Sequence, residues 1–136
     1  MKLKLVLISL LFSFAVAQKK TVQVIVNNND NDGGAYFSNQ LAYTIKENIR
    51  KSDTFKLYNK SEGPPINSYI TLHIYALEID GNFADRFFCY TVWFTLQSKM
   101  CDQFISNSMG YGSPSVIEEQ SKLVMTSLEN LDLNDK

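Results

Sequence analysis

The chain is short of the residue types from which most catalytic and metal sites are built. Its 136 residues include two cysteines, one histidine and one tryptophan. Lysine and arginine total 13 against 14 acidic residues, and the basic residues form no block. Because nucleic-acid recognition needs clustered basic side chains, this composition argues against a nucleic-acid partner. No cofactor-binding motif is present either, so we expect no cofactor.

Long apolar runs are confined to the first seventeen residues. Two lysines precede an apolar run from Leu5 to Phe14, and Ala15-Val16-Ala17 follows with the small-x-small pattern of a signal-peptidase site. This run is shorter than the about 20 residues that a membrane-spanning helix needs. We therefore expect residues 1–17 to be a cleaved secretory signal peptide.

The remainder of the chain, 18–136, is predicted to form a single domain. It is long enough to bury a core of its own, and it contains no second apolar segment of spanning length. We therefore expect an exported protein, periplasmic or extracellular, without stable membrane insertion after signal cleavage. The tail at 131–136 is mostly polar and is expected to fray.

The first half of this domain changes from a strand pattern to a helix pattern. Alternating valines in TVQVIVN predict a strand over 21–27. From Ala35 the apolar period becomes four, which predicts a helix of about four turns; its buried stripe would consist of Phe37, Leu41, Ile45 and Ile49. Phe55 and Leu57 then indicate a short strand.

The second half contains three more strands and a second helix. Alternation over 69–79 and over 87–97, on either side of an Asp-Gly turn, predicts an antiparallel hairpin. The segment FISNSMGYG is typical of a weaker strand, and the helix after Ser113-Pro114 has the predicted inner stripe Val116, Gln120, Leu123, Val124, Ser127, Leu128 and Leu131. The order is β-α-β-β-β-β-α. It predicts an α+β two-layer sandwich, a mostly antiparallel sheet with both helices on one face.

The pairing of the two cysteines, Cys89 and Cys101, stays open at this stage. An oxidising compartment favours a disulfide between them. The reach of a disulfide opposes it, since Cys89 lies early in a long strand and Cys101 lies beyond the end of that strand, whereas bridged Cα atoms are about 4.4–6.8 Å apart.

The stretch NNNDNDGGAY between the first strand and the first helix resembles part of a calcium loop. Asp30 and Asp32 precede Gly33 with the spacing of EF-hand ligands. However, the first ligand position holds the neutral Asn28, and Asn39 stands where the bidentate glutamate should be. The favoured interpretation is a bend between a strand and a helix, with Asp30 and Asp32 as weak metal candidates and no metal site expected.

A catalytic centre is not expected from this sequence. His73 is the only histidine, and no serine, cysteine or carboxylate is placed next to it by a nucleophile motif. A hydrolase built around His73 remains an alternative hypothesis.

Aromatic and β-branched residues collect on the side of the hairpin that faces away from the helices. The residues we predict to contact a partner are Tyr69, His73, Tyr75, Phe87, Thr91 and Trp93. Such residue types are enriched at protein interfaces, and exposed apolar patches often mark contacts. Ordinary cross-strand packing on a solvated face is the alternative. A homodimer is compatible with the same surface.

The segment IRKSDTFKL, where the first predicted helix ends, resembles a feature of small periplasmic domains. In the N-terminal domain of TolB and in the CsgG-like envelope-assembly proteins, a helix ends with a branched apolar residue, an arginine and a serine, before a short strand. Ile49, Arg50, Ser52 and Phe55 match this pattern. The Gly-x-Asp segment usual in those families is absent, and INSYITL stands in its place. The resemblance implies a partner-binding or envelope-assembly domain without catalytic residues.

These observations lead to three functional hypotheses. The first is an exported, non-catalytic protein-binding domain, either an envelope-assembly accessory or a periplasmic inhibitor or immunity protein, with a protein partner of unknown identity. The second is a small-ligand or calcium-binding module that uses the loop 28–36 or the aromatic sheet face. The third is the hydrolase around His73.

Overall fold

The computed structural model describes residues 18–63, 68–79, 86–99 and 102–131. The predicted signal peptide, the hairpin tip, Cys101 and the tail after Leu131 lie outside the described residues. The order of elements is as predicted: β1 Lys20–Val26, α1 Ala35–Lys51, β2 Phe55–Leu57, β3 Tyr69–Ile79, β4 Phe87–Gln97, β5 Asp102–Gly112 and α2 Ile117–Glu129. Within these segments, neither helix is long and apolar enough to cross a membrane.

The five strands form one sheet in the order β2-β1-β3-β4-β5. β4 pairs antiparallel with β3 and with β5, as the hairpin pattern predicted. β1, however, pairs parallel with both β2 and β3. The prediction of a mostly antiparallel sheet is therefore wrong, and the sheet is mixed. Parallel neighbours require a long crossover, usually a helix, and α1 provides that crossover between β1 and β2.

Both helices lie on the same face of the sheet, as predicted. The four apolar residues of the α1 stripe are fully buried, together with alternate residues of β3 and β4. α1 contacts β1, β2 and β3, whereas α2 contacts α1 and β5. The ring of Phe37 in α1 stacks on Phe88 of β4 at a centroid distance of 4.8 Å. One layer of helices thus covers one side of the sheet, and no described helix lies on the other side.

The inner stripe of α2 differs from the predicted one. Its buried residues are Ile117, Ser121, Val124, Met125 and Leu128, whereas Leu123 is 53% exposed. Two polar contacts fix the rotation of the helix. The Tyr90 hydroxyl donates to Gln120 Oε1 at 2.5 Å, and Asn48 Nδ2 donates to Ser121 Oγ at 3.0 Å. Burial raises the pKa of Tyr90, which keeps this hydroxyl protonated as a donor.

Candidate functional site: the open face of the sheet

The loop between β1 and α1 is tied to β3 by the side chain of Asn28. Asn28 Nδ2 donates to the carbonyl of Ala76 at 2.7 Å, and the amide of Ala76 donates back to Asn28 Oδ1 at 2.9 Å. The hydroxyl of Ser38 in α1 donates to the same Oδ1 atom. Asn28 therefore continues the sheet beyond the end of β1 and anchors the start of the helix, as the favoured bend interpretation requires.

The two aspartates of this loop lie in an exposed turn. Asp32 Oδ2 accepts a hydrogen bond from the amide of Asn29 at 2.9 Å, and Asp30 is exposed. Across the described segments, no group of three or more His, Cys, Asp or Glu side chains converges as metal ligands would. The loop geometry is accounted for by the turn itself.

The side of β3, β4 and β5 that faces away from the helices is called the open face here. Alternate residues of β3 and β4 point to the core, so their neighbours point outwards, and the register assigns the matching positions of β5. The open face consists of Tyr69, Thr71, His73, Tyr75, Leu77, Ile79, Phe87, Cys89, Thr91, Trp93, Thr95, Gln97, Asp102, Phe104, Asn107, Met109 and Tyr111.

All six residues predicted to contact a partner lie on the open face. His73 is paired with Trp93 and Tyr75 with Thr91, so these four side chains form one cluster at its centre. Tyr69 and Phe87 lie four residues away from this cluster at opposite ends, a distance of about 13 Å along each strand. The structure thus brings four of the six together, and their role in binding stays a prediction.

The rings of His73 and Trp93 stack at a centroid distance of 5.4 Å and an interplanar angle of 5°. Nε2 of His73 lies 3.3 Å from Oγ1 of Thr95. Burial lowers the pKa of His73 from its usual 6.5, and the more distant carboxylate of Asp102 raises it less strongly. His73 is therefore held flat in the sheet surface and is favoured in its neutral form.

Thr71 has the one described buried side-chain oxygen or nitrogen that lacks a hydrogen-bond partner. Its side chain is 1% exposed although it belongs to the open face. It lies between Tyr69 and His73 along β3 and is paired with Thr95 on β4. The open face is therefore closed to solvent at this position.

Sequence reasoning missed the largest exposed part of the open face. Apart from Phe87, which is 40% exposed, the exposed large apolar residues on this face are Leu77 53%, Ile79 51%, Phe104 60%, Met109 73% and Tyr111 77%. The alternation of β3 could have extended the prediction to Leu77 and Ile79. The β5 residues could not have been placed, because a bulge between Phe94 and Thr95 of β4 shifts the register of β5 by one residue.

Charge is nearly absent from the open face. Apart from the imidazole of His73, which is favoured in its neutral form, Asp102 is its only acidic or basic side chain, and it lies at the end of β5 next to Gln97. Glu78, Arg86 and the charged residues of both helices point elsewhere, and Glu78 pairs with Arg86 at 3.3 Å. Depletion of charge together with enrichment of aromatic residues distinguishes the cores of protein interfaces from ordinary surface.

The thiol of Cys89 on this face is free and exposed. The other candidate for a bridge, Cys101, lies outside the described residues.

A cleft lies on the helix side of the described part of the domain. It has a volume of about 640 Å³ and is lined by Tyr36, Asn39, Gln40, Tyr43, Thr44, Pro114, Ser115, Ile117 and Glu118. Small ligands are usually enclosed by concave pockets, whereas protein interfaces of standard size are broad patches. The shape of the open face therefore suits a macromolecular partner better than a small one.

The segment that resembles the helix exit of periplasmic domains has a structural role. The hydroxyl of Ser52 accepts hydrogen bonds from the amides of Thr54 and Phe55 at 3.1 and 3.2 Å, and the Ser52 amide donates to the carbonyl of Ile49. These bonds end α1 and turn the chain into β2. The matched Ser52 therefore has a structural role at the junction of α1 and β2.

Comparison with known proteins shows similarity at the level of fold. No protein-family model matches the chain, and no curated protein sequence matches it significantly. PelC from Paraburkholderia phytofirmans, solved as a dodecamer, is 14% identical over 84% of this chain and 91% of its own, with a TM-score of 0.53. A hypothetical protein from Chlamydia trachomatis is 10% identical over 84% of this chain and 98% of its own, with a TM-score of 0.50.

TolB from Acinetobacter baumannii is also among the similar structures. It is 15% identical over 85% of this chain, which corresponds to 28% of TolB, and the TM-score of 0.46 is too low to support an inference. These comparisons concern the fold alone, and the predicted resemblance to envelope-assembly domains stays a prediction.

Proposed function

We propose that this protein is an exported, non-catalytic domain that binds another protein through the open face of its sheet. The observation that carries the proposal is the combination of six exposed large apolar side chains with a single charge on one continuous surface. Monomeric soluble proteins rarely expose large contiguous apolar patches, and those that exist often mark interaction sites.

The chemistry of the open face defines the partner surface. Its exposed apolar end, around Leu77, Ile79 and Tyr111, would be covered by an apolar surface of the partner. Its centre offers hydroxyl groups and the neutral ring of His73 as hydrogen-bonding groups between aromatic rings. We therefore expect the partner surface to be apolar where it covers this end, and to carry polar but uncharged groups where it covers the centre. An unpaired charge buried there would be costly.

The compartment follows from the predicted signal peptide. An exported domain of this kind fits an envelope-assembly accessory or a periplasmic inhibitor or immunity protein. A non-catalytic role is supported by the surroundings of His73, whose Nε2 contacts a threonine hydroxyl and whose ring lies flat against Trp93.

The test uses two leucines with the same exposure on opposite sides of the domain. Leu77 on the open face and Leu123 on α2 are each 53% exposed. Tagged wild-type protein, Leu77→Lys and Leu123→Lys would be compared for partner capture from envelope extracts of the source organism. We expect Leu77→Lys to weaken capture about tenfold or more, because it places an unpaired charge in the interface, and Leu123→Lys to bind as the wild type does.

Equal melting temperatures of the three proteins would show that the fold is intact. Trp93→Ala combined with Tyr75→Ala tests the central cluster in the same assay and should also reduce capture. Capture that survives both open-face changes would contradict the proposal, and so would equal losses from Leu77→Lys and Leu123→Lys.

A further inference from the structure

The two edges of the sheet differ in how they are protected against pairing with another strand. The β2 edge is three residues long and has Lys56 at its centre. The β5 edge is eleven residues long, with the sequence DQFISNSMGYG. Natural edge strands are usually prevented from pairing with other chains because they are short or because they contain a lysine, a proline or a bulge. β2 has two of these protections, whereas β5 has no lysine, arginine or proline.

The bulge near the start of β5 protects part of that edge. Thr95 is paired with Phe104 and Phe94 with Ser106, so Ile105 is the extra residue. From Ser106 to Gly112 the register with β4 is unbroken. In the described part of the chain no strand pairs with the outer side of this segment. Seven consecutive residues therefore present a regular, uncharged backbone edge.

We propose that a second copy of this chain pairs antiparallel with this edge, with the two-fold axis at Met109. Antiparallel pairing about Met109 uses the whole segment Ser106–Gly112 and stops at the bulge. Met109 of one copy then lies opposite Met109 of the other, and Asn107 lies opposite Tyr111. All of these side chains belong to the open face, so the two open faces join into one surface.

Charge is the reason to infer a second copy of the same chain. Self-pairing of a strand places each charge near its own counterpart, and like charges directly opposite are destabilising. The segment Ser106–Gly112 contains no charge, and Asp102, the only charge of β5, lies beyond the bulge. Pairing would also cover Met109 and Tyr111, which are 73% and 77% exposed.

This symmetry limits the assembly to two copies. An isologous contact uses the same edge of both chains and leaves no second β5 edge for a third copy. The inference goes beyond the proposed function, because it depends on the strand edge and not on what the open face binds. It can fail while the open-face proposal stands, and the reverse also holds.

The first experiment measures the molar mass of the protein, purified from expression of the full chain, by light scattering after gel filtration. We expect twice the monomer mass for the wild type and the monomer mass for Met109→Lys. Phe104→Lys is the matched control, since Phe104 is 60% exposed on the same strand and face but lies outside the paired segment. This variant should remain dimeric.

The second experiment tests the register. In a Cys89→Ser, Cys101→Ser background, Met109→Cys should form a disulfide between two copies under mild oxidation. Directly opposite Cα atoms of an antiparallel pair are about 4.5–5.5 Å apart, which is within the about 4.4–6.8 Å that a disulfide allows. Phe104→Cys in the same background should not form this disulfide. A monomeric wild type would overturn the inference, and so would dissociation by both lysine variants, cross-linking at Phe104, or a series of larger oligomers.

Discussion

At the scale of single residues, hydrogen bonds within the fold explain two motifs that suggested a functional site in the sequence. Asn28 stands at the first ligand position of an apparent calcium loop, but its amide completes the backbone hydrogen bonds of Ala76 and orients Ser38. Ser52 matches one position of the periplasmic-domain motif, and its hydroxyl accepts the two hydrogen bonds that turn the chain from α1 into β2. In both cases a polar side chain replaces a missing backbone partner.

Thr71 is a residue whose replacement should stabilise the protein. Its buried hydroxyl has no hydrogen-bond partner, and an unsatisfied buried polar group costs about 1–3 kcal/mol. Thr71→Val keeps the shape and removes the hydroxyl, so we expect the free energy of unfolding to rise by about 1 kcal/mol. Chemical denaturation measures this change. Thr95→Val is the control, because it removes a hydroxyl that is bonded to His73, and it should not stabilise.

His73 should make the stability of the fold depend on pH. Burial lowers its pKa below the ordinary 6.5 in the folded protein, so the unfolded chain binds more protons as the pH falls through that range. The contribution of His73 to the free energy of unfolding is therefore fully present above pH 6.5. It is lost as the pH falls towards the pKa of His73 in the folded protein. Unfolding free energies of wild type and His73→Gln, measured from neutral to acidic pH, should converge with falling pH. A constant difference would contradict this.

At the scale of secondary structure elements, the sequence predicted the type and order of both α-helices and all five strands, but not all of their orientations. The stripe of α1 is correct because four apolar residues repeat every four positions and nothing competes with them. In α2, Leu123 is followed directly by Val124 and Met125, so apolar periodicity alone does not decide which of the three faces the core. The contacts of Gln120 and Ser121 with other elements decide the rotation, so Leu123 is exposed.

For β1, too, the sequence predicted the type of the element but not its orientation in the sheet. A period of two predicts a strand but does not say whether its neighbours run parallel. The succession of strand, helix and strand in the first half favours a parallel crossover unit, and this signal could have corrected the prediction. The insertion of β1 between β2 and β3 requires knowledge of the whole sheet.

Gly34 at the junction of the loop and α1 should tolerate no side chain. A Cβ atom at this position would lie 1.9 Å from the carbonyl oxygen of Ala76 and 2.9 Å from the amide nitrogen of Leu77. Because these are backbone atoms of a central strand, they cannot move aside. Gly34→Ala should therefore lower the free energy of unfolding by about 1–3 kcal/mol or more, as measured by chemical denaturation.

Gly33→Ala is the matched control for this change. A Cβ atom there would come within 2.8 Å of Glu78 Oε2, the flexible end of a side chain that can swing away. We expect a clearly smaller loss of stability. Equal losses for the two variants would show that the close approach to Ala76 is not the cause.

At the scale of the whole molecule, the protein is two-sided. Among the described residues, two helices cover one side of the sheet, and the other side exposes over β3, β4 and β5 a nearly uncharged surface rich in aromatic and apolar side chains. Both proposals, the open face as a binding surface and the β5 edge as a dimer contact, follow from this arrangement, because a single layer of helices cannot cover both faces of a sheet.

Calcium should leave the stability of the whole protein unchanged. Any ligand that binds the native state raises its stability, but Oδ1 of Asn28 is already occupied by Ala76 and Ser38, and Asp32 accepts from the Asn29 amide. We expect the same melting temperature in millimolar calcium and in EDTA. A rise with calcium that disappears in Asp30→Asn would restore the calcium-binding hypothesis.

From the amino acid sequence follow the types of the elements, their order, the α+β class and the aromatic character of the outer hairpin face, because these depend on periodicity and composition within single segments. The tertiary structure decided the parallel pairing of β1, the rotation of α2, the bulge at Ile105 and the exposed apolar residues of β5. These features depend on contacts between segments far apart in the chain, and such contacts are settled only when the whole sheet and both helices pack together.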